Sequence, residues 1–280
     1  MMQDEGNPSA SCVLRQKREF SMELTSGELL RYSRQIIIPE IGEQGQRKLK
    51  EAKVFIAGIG GLGSISSYYL TAAGIGHLKI VDRDKVDCSN LNRQIIHWTG
   101  DIDEWKSVSG SRKLRNLNPH CSIEAFQKEI DSDNCAELIG DCSVVVDALD
   151  NMNSRRILNA ASVGKGVPYI YGGVHQFDGM ASVFIPGKTP CLECVFPDDH
   201  AEHAPVPPGI LGPVPGVIAC IQAIETIKII LGLEGLLAGR LLCFCGNDMT
   251  FREFKITKDP GCRICGKTGQ RSKRHRRFHK

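Results

Sequence analysis

The sequence predicts an α/β fold with a doubly wound, mostly parallel sheet and antiparallel strands near its C-terminal end. Apolar runs with strand character alternate with helical segments as far as Gly172, which is typical of a parallel sheet because each parallel connection needs a crossover. A glycine-rich loop separates the first of these strands from the helix that follows it. Beyond Gly172 the sequence changes to short strand-like runs separated by breakers.

The chain approaches the predicted sheet through helical segments. Thr25 and Glu28 have the spacing of a capping box, in which each side chain accepts a hydrogen bond from the other residue's backbone N–H. This spacing predicts a helix start within residues 24–49, and a further helical signal covers residues 43–53.

Five apolar runs predict the parallel strands. The run at residues 143–148 is almost continuously apolar, which predicts a central strand covered on both faces. The predicted parallel strands are residues 54–57, 78–81, 121–126, 143–148 and 167–172, with helices at 64–73 and 154–165. The predicted antiparallel strands are residues 181–184, 241–244 and 250–256, the last two forming a hairpin, and the proline- and glycine-rich stretch 197–216 is predicted to be irregular.

Composition indicates a protein that does not span a membrane. The 280 residues are 41% hydrophobic, and the longest apolar stretch, residues 216–233, is interrupted by Gln222, Glu225 and Lys228. It predicts a buried or half-buried helix, since a membrane span needs about 18 or more apolar residues. Residues 1–23 are polar and lack the apolar segment of a signal peptide. We therefore expect a soluble, cytoplasmic protein.

The positive charge is concentrated at one end of the chain. The formal net charge is +3, but residues 267–280 are strongly basic. We expect them to form a solvated, disordered tail, and contact with nucleic acid is the weaker alternative because interleaved aromatic residues are missing. The expected organisation is a flexible lead at 1–23, a single domain at 24–266 and the tail at 267–280.

Four of the twelve cysteines have metal-ligand spacing. Cys191 and Cys194 form one C-x-x-C pair, and Cys262 and Cys265 form another. Two such pairs can supply four thiolates to a tetrahedral, structural Zn²⁺ that ties down the C-terminal segment. Disulfides and a redox C-x-x-C are the alternatives, disfavoured by a reducing compartment and by the presence of two pairs. The other eight cysteines share no metal spacing: Cys12, Cys88, Cys121, Cys135, Cys142, Cys220, Cys243 and Cys245. Several of them lie in apolar runs, which predicts small core residues.

The glycine loop predicts a nucleotide site of Rossmann-like type. The run V-F-I-A-G-I-G-G-L-G-S contains Gly58, Gly60 and Gly61 between a strand and a helix. Such glycines allow phosphate oxygens to approach the backbone, and the helix N-terminus adds N–H donors and its positive dipole end. Asp82 ends the next strand about twenty residues later, where a ribose hydroxyl acceptor belongs. By themselves these features favour NAD.

Charged side chains at the same rim favour ATP cleavage instead. Asn90 and Arg93, in the run S-N-L-N-R-Q, follow Asp82, and Asp150 and Asn151 end a later strand. In a doubly wound sheet these positions meet at the carboxyl ends of the strands. Arg93 and Lys106 can stabilise charge that develops on phosphates, while the Asp150 carboxylate can hold Mg²⁺ or orient the attacking group. Ordinary surface charge is the alternative interpretation.

At this point the sequence resembles the MoeB/ThiF/HesA group of the ubiquitin-activating-enzyme superfamily. The resemblance extends over residues 24–266 and includes linked motifs in one order. Those motifs are R-Y-S-R-Q-I-I-I-P-E-I-G, the glycine loop, S-N-L-N-R-Q, N-P-H, D-A-L-D-N, P-C-L-E-C and P-G-C-R-I-C-G. The resemblance implies an ATP-dependent adenylyltransferase acting on a small ubiquitin-like or sulfur-carrier protein that ends in Gly-Gly. The carrier's carboxylate would attack the α-phosphate, release pyrophosphate and leave an acyl-adenylate.

The resemblance also implies roles for individual residues and a homodimer. Arg34 matches an arginine that inserts into the neighbouring subunit's site. The nucleotide-binding positions that carry over are Gly58, Gly60 and Gly61 for the phosphates, Asp82 for the ribose, Ser89, Asn90, Arg93 and Lys106 for the phosphates, and Asp150 beside Asn151 for Mg²⁺ and the reacting centre.

Two departures from the family pattern affect these expectations. Asp103 stands three residues before Lys106, where the family has glycine, which puts the shape of this loop in question. Residues 196–216 contain no cysteine, although many relatives carry one there, near the position of Pro205. We therefore expect adenylation without a covalent enzyme intermediate. Cys220 is expected in the core, and His200 and His203 are expected as exposed loop residues.

Three other functions compete with this expectation. A relative in the same superfamily dehydrates a modified adenosine in tRNA, and the basic tail fits that activity. A NAD-dependent oxidoreductase fits the glycine loop but not Arg93 and Lys106. A non-catalytic partner scaffold fits the missing loop cysteine. The sequence does not distinguish molybdopterin, thiamin or another downstream product.

Overall fold

The computed structural model describes residues 23–197 and 209–266. Its strands are β1 (Lys53–Ala57), β2 (His77–Val81), β3 (Ser122–Phe126), β4 (Val144–Asp147), β5 (Tyr169–His175), β6 (Asp178–Phe184), β7 (Arg240–Cys245) and β8 (Thr250–Lys255). They form one sheet in the order β3-β2-β1-β4-β5-β6-β7-β8. Neighbours from β3 to β5 are parallel, and neighbours from β5 to β8 are antiparallel.

Helices cover both faces of the parallel part of the sheet. They are α1 (Ser26–Arg31), α2 (Ser33–Ile36), α3 (Gly42–Glu51), α4 (Gly61–Ala72), α5 (Lys106–Leu117), α6 (Cys135–Ile139), α7 (Met152–Lys165), α8 (Leu192–Val195) and α9 (Pro213–Leu231). One apolar core lies on the side of α4 and α9, and a second lies on the side of α6 and α7. All four residues of β4 are buried, as expected for a central strand.

The strand order places a crevice next to β1. The chain passes from β1 to β2 and β3 on one side, then returns to place β4 on the other side. This reversal is a topological switch point, and in such sheets ligands bind outside the carboxyl ends of the strands that flank it.

The predicted fold class is confirmed, and strands lie at the predicted places along the chain, with changes at several boundaries. The capping box of Thr25 and Glu28 is present, and Lys50 also binds the Glu28 carboxylate at 2.8 Å. The helical stretch at 24–49 is divided into three helices by the turns at Tyr32 and before Gly42. Helix α4 begins at Gly61, before the predicted start at residue 64, because loop glycines themselves form its first turn.

Helices α5 and α6 were not predicted. The α5 sequence K-S-V-S-G-S-R-K-L-R has small polar residues where an amphipathic pattern would show large apolar ones. The structure supplies the reason: a Cβ on Gly110 would lie 3.2 Å from a methyl carbon of Ile59, so α5 packs tightly beneath the glycine loop. This close contact requires small residues on α5, so the sequence lacks the apolar periodicity that would predict a helix.

Helix α9 is long and apolar enough to cross a membrane by length and composition alone. Half of its apolar stretch is buried inside the protein, however, where α9 packs against α4 and β5. Glu225 and Gln222 are buried on this helix and bind backbone groups of the core. It therefore agrees with the predicted buried or half-buried core helix.

Three of the cysteines predicted in the core are buried. Burial raises the pKa of the Cys121 and Cys135 thiols to about 12 and that of Cys142 to about 11. These groups are protonated at neutral pH and behave as small apolar side chains. Cys88 is instead exposed.

Several predicted features lie outside the described residues. They are the lead up to residue 22, the loop positions His200, His203 and Pro205, Cys12, and the basic tail at 267–280.

We expect Gly63→Ala to destabilise the protein by about 1–3 kcal/mol, because overpacking at a closed site has that cost. A Cβ at position 63 would lie 2.1 Å from the carbonyl oxygen of Gly58. Urea denaturation at equilibrium measures the change. Gly216→Ala is the matched control, because that helical glycine has no atom within 4 Å of an added Cβ. Equal stability of the two variants would contradict the packing argument.

Candidate active site

A cleft of about 320 Å³ opens at the carboxyl ends of β1, β2 and β4. It lies at the switch point of the sheet. Most of the residues predicted to bind nucleotide line it, namely Gly58, Gly60, Gly61, Asp82, Arg93, Lys106, Asp150 and Asn151. Ser89, Asn90 and Arg34 do not line it.

The glycine loop presents unpaired backbone donors to this cleft. Gly58 has a φ of +95°, and a Cβ there would lie 2.6 Å from the carbonyl oxygen of Ala148, so only glycine fits. The N–H groups of Gly60 and Gly61 donate to no atom within residues 23–197 and 209–266. Since Gly61 begins the twelve-residue helix α4, these donors coincide with its positive dipole end. The loop is therefore suited to bind an anion.

Asp82 is held so that its carboxylate faces the loop. One oxygen accepts the Ile59 N–H at 2.8 Å, and the other accepts the Asp84 N–H at 2.8 Å. Burial raises the pKa of Asp82, and the positive charge of Lys106 opposes part of that rise. Each oxygen retains a lone pair that can accept a hydrogen bond from a sugar hydroxyl.

Lys106 lies at the first position of α5 and is only 6% exposed. Its Nζ lies 3.1 Å from Oδ2 of Asp84 at the cleft wall. The loop before it contains Asp103 with a φ of +70°, the left-handed conformation that glycine adopts most easily. Aspartate is among the few other residues that tolerate this conformation. The departure at Asp103 therefore leaves the left-handed turn in place.

Ser89 and Asn90 shape the loop that carries Arg93. The Asn90 amide oxygen accepts the Asp87 N–H at 3.1 Å, and the Ser89 hydroxyl binds the Asp87 carboxylate at 2.5 Å. Arg93 donates from Nη1 to the Ser89 carbonyl at 2.9 Å and to the Asn92 amide oxygen at 3.0 Å. In this structure the Ser89 and Asn90 side chains stabilise the turn, and their contact with phosphate remains a prediction.

Asp150 and Asn151 lie just beyond β4 and line the same cleft as Arg93. Asn151 caps α7, since its side-chain oxygen accepts the Ser154 N–H at 2.9 Å. Its amide donates to the Asp150 carboxylate at 3.2 Å. Asp150 is exposed and forms no ion pair with the described lysines and arginines, so its oxygens can bind a cation.

A buried charge network beneath this rim was missed in the sequence. Asp147 is fully buried, accepts the Tyr169 hydroxyl at 2.7 Å and lies 3.4 Å from Nε of Arg155. Arg155 also donates to the carbonyl oxygens of Leu149 and Gly172. Burial raises the pKa of Asp147, and the charge of Arg155 opposes that rise. An aspartate inside the apolar run V-V-V-D-A was the available signal, because a buried charge requires a partner.

A second cavity of about 620 Å³ meets the cleft at Arg155 and Val174, which line both. Its walls come from β5 to β8 and include Tyr171, Met180 and Phe254. The two spaces together extend from the nucleotide loop to the last strands of the sheet.

The four predicted metal ligands converge. All four sulfur atoms, of Cys191, Cys194, Cys262 and Cys265, lie within 4.8 Å of one another. Three of the separations are 3.9, 3.7 and 3.4 Å. Tetrahedral zinc with bonds of about 2.3 Å requires sulfur atoms about 3.8 Å apart, whereas a disulfide requires about 2.05 Å. The donor set therefore fits zinc and not a pair of disulfides.

Arg34 lies on α2 and is exposed. Large apolar side chains beside it in the chain are also exposed: Leu30 is 78% exposed and Ile37 is 69% exposed. An exposed cation among exposed apolar side chains is typical of an interface between subunits.

Comparison with known proteins agrees with this geometry. A family model described as the ThiF family matches residues 32–264. The chain is 39% identical over 253 residues to the SAMP-activating enzyme E1 of Haloferax volcanii, covering 89% of this chain and 93% of the relative. It is 38% identical to the sulfur carrier protein adenylyltransferase of Thermus thermophilus, covering 88% and 93% of the two chains.

A longer relative and a solved structure are also similar. Adenylyltransferase and sulfurtransferase MOCS3 of Anopheles gambiae is 42% identical over 252 residues, which cover 86% of this chain but only 56% of that protein. The crystal structure of E. coli MccB with ATP has a TM-score of 0.77 at 27% identity, covering 86% of this chain and 75% of that chain.

Proposed function

The chain belongs to the ThiF family and is an ATP-dependent adenylyltransferase, and from this premise we propose that its substrate is the C-terminal glycine of a small ubiquitin-like or sulfur-carrier protein. The observation that carries the proposal is the convergence, in one cleft, of the unpaired N–H groups of α4, the cations Arg93 and Lys106, and the carboxylate of Asp150.

The proposed reaction joins the carrier's carboxylate to the α-phosphate of ATP. A carboxylate oxygen attacks phosphorus, the bond to the β-phosphate bridging oxygen breaks, and pyrophosphate leaves with the bonding electrons. The N–H groups of Gly60 and Gly61 hold phosphate oxygens, while Arg93 and Lys106 stabilise the charge that develops on them. Asp82 accepts the ribose hydroxyls. Asp150 would hold Mg²⁺, which neutralises phosphate charge when bound.

The second cavity supports the proposal that the substrate is the C-terminal end of a carrier protein. An extended glycine tail lacks side chains, so it can lie in the cavity that β5, β6, β7 and β8 line and reach the cleft past Arg155 and Val174. The similarity to two proteins named for activating or adenylating carriers supports the same class.

We also propose that the acyl-adenylate is passed on without an enzyme thioester in the crossover region. Residues 196–216 contain no cysteine. Cys220 is half-buried on α9, and burial raises the pKa of its thiol, which lowers the amount of nucleophilic thiolate at neutral pH.

The proposed assembly is a homodimer with composite sites. Arg34 does not line the cleft of its own chain, and it is flanked in the chain by the exposed apolar residues Leu30 on α1 and Ile37 just after α2. A two-fold interface over this surface would allow each subunit to supply Arg34 to the other. The proposed metal of the four-cysteine centre is zinc, with a structural role, because four thiolates leave no open coordination position.

The carrier proposal is tested by pyrophosphate exchange into ATP, using the purified full chain and candidate carriers that end in Gly-Gly. We expect exchange with at least one carrier, and Asp150→Ala should lower the rate by on the order of 100-fold, because the Mg²⁺ that would neutralise phosphate charge loses a ligand. Glu234→Ala is the control, an exposed carboxylate that does not line the cleft. Activity on tRNA without carrier-dependent exchange would overturn the proposal, and exchange with a short peptide alone would overturn the carrier class.

The composite site is tested by mixing two inactive variants, Arg34→Ala and Asp150→Ala. If Arg34 acts across a dimer, one site of each mixed dimer regains both residues, and random exchange of subunits restores about a quarter of the wild-type sites. Exchange activity and molar mass by light scattering are measured together. A dimer that recovers no activity on mixing would contradict the partner role of Arg34.

Zinc is tested by metal analysis of purified protein. We expect about one zinc per chain, and Cys262→Ser should lose it and lower the thermal midpoint, because a structural zinc contributes directly to folding free energy. Cys88→Ser, which changes an exposed thiol outside the cluster, should retain the metal. Iron in place of zinc, or a fully metal-free wild type, would refute this assignment.

A further inference from the structure

The backbone of Ile59, inside the glycine loop, is held at both its N–H and its carbonyl group. Its N–H donates to Asp82, as described above. Its carbonyl oxygen lies 3.0 Å from Nε2 of His97, a side chain that is only 3% exposed. His97 does not line the cleft and therefore makes no direct contact with a ligand there.

The partners of His97 determine where its proton lies. A carbonyl oxygen only accepts, so Nε2 carries the hydrogen that binds Ile59. Nδ1 lies 2.9 Å from the Ser109 hydroxyl, which in turn accepts from Lys113 Nζ at 3.0 Å. Ser109 accepts from Lys113 and keeps one proton of its own, for which Nδ1 and the Asp101 carboxylate are both acceptors, so Nδ1 needs no hydrogen and the ring can stay neutral. Burial lowers the pKa of His97 to about 4, which keeps the ring in this neutral form.

Because the Ile59 carbonyl is anchored, the direction of the Gly60 N–H in the same peptide unit is fixed as well. In a trans peptide the C=O and the following N–H point in opposite directions. With the Ile59 oxygen turned inward to His97, the Gly60 N–H is turned outward. That N–H has no acceptor among the described residues, and Gly60 lines the cleft.

We propose that His97 is a positioning residue for the nucleotide phosphates: it holds the Ile59 carbonyl and thereby aims the Gly60 N–H into the cleft. Through Ser109 it also ties the glycine loop to α5, the helix that begins with Lys106. The inference rests on the proposed use of ATP in this cleft. Loss of His97 allows the Ile59–Gly60 peptide to rotate, so one phosphate donor is misdirected while the ribose acceptor Asp82 stays in place.

The test compares the binding of ATP and adenosine, measured separately and without carrier. His97→Leu should weaken ATP binding about tenfold, the effect of roughly one hydrogen bond to a charged group, and leave adenosine binding unchanged. His97→Gln, whose amide offers one donor and one acceptor, should restore most of the ATP affinity. Asp82→Asn is the contrasting variant, because weakening the ribose contact should affect both ligands.

The outcomes separate the inference from the function on which it rests. Equal loss of ATP and adenosine binding in His97→Leu would show a merely structural role, and unchanged ATP binding would refute the positioning role. If His97→Leu does not fold, Ser109→Ala, which removes the hydroxyl behind His97, should show the same selective loss at smaller size, and its absence would refute the proposal. Failure of the wild type to bind ATP would overturn the proposed function itself.

Discussion

The close approach of the glycine loop to the end of β4 is the constraint on which the site depends. Gly58 donates to the Val81 carbonyl at 2.8 Å on one side, and on the other side a Cβ would meet the Ala148 carbonyl at 2.6 Å. The loop is therefore held between β2 and β4 with no room for a side chain. This contact brings Asp82, which follows β2, and Asp150, which lies three residues beyond β4, to one cleft.

Two buried polar networks stabilise the two sides of this contact. Below β4, Asp147 and Arg155 form an ion pair, and Arg155 also donates to the Leu149 carbonyl just before Asp150 and to the Gly172 carbonyl on β5. Below the glycine loop, Lys113 pairs with Asp101 and supports Ser109. Buried charges are costly unless fully partnered, so each network has few alternative arrangements. The cleft residues are consequently held in place by buried groups, of which Arg155 also lines the cleft.

The residues that face the cleft were easier to predict than the residues that hold them. Asp82, Arg93, Lys106 and Asp150 stand at the ends of strands or in a distinctive motif, and strand ends meet at a known edge. His97 carries no comparable signal, because its role depends on Ile59 and Ser109, which are distant in the chain. Helix α5 was missed for the same reason: Gly110 and the serines reflect its packing against the loop, a tertiary effect that masks helical periodicity.

The four-cysteine centre is connected to the cleft through α7. This helix begins beside Asp150, and further along it the buried Asn159 accepts the backbone N–H of Leu192, between the first two cysteines. Glu193, also between those cysteines, pairs with Arg156 on α7 at 3.4 Å and with Arg263, between the last two, at 2.6 Å. Since Arg155 and Arg156 are adjacent, the helix is fixed on one face to the cysteine knuckles and on the other to the charge network under the cleft. The cysteines are far from the phosphate-binding residues along the chain. A metal bound to them would nevertheless influence the position of Asp150, because one rigid helix connects the two sites.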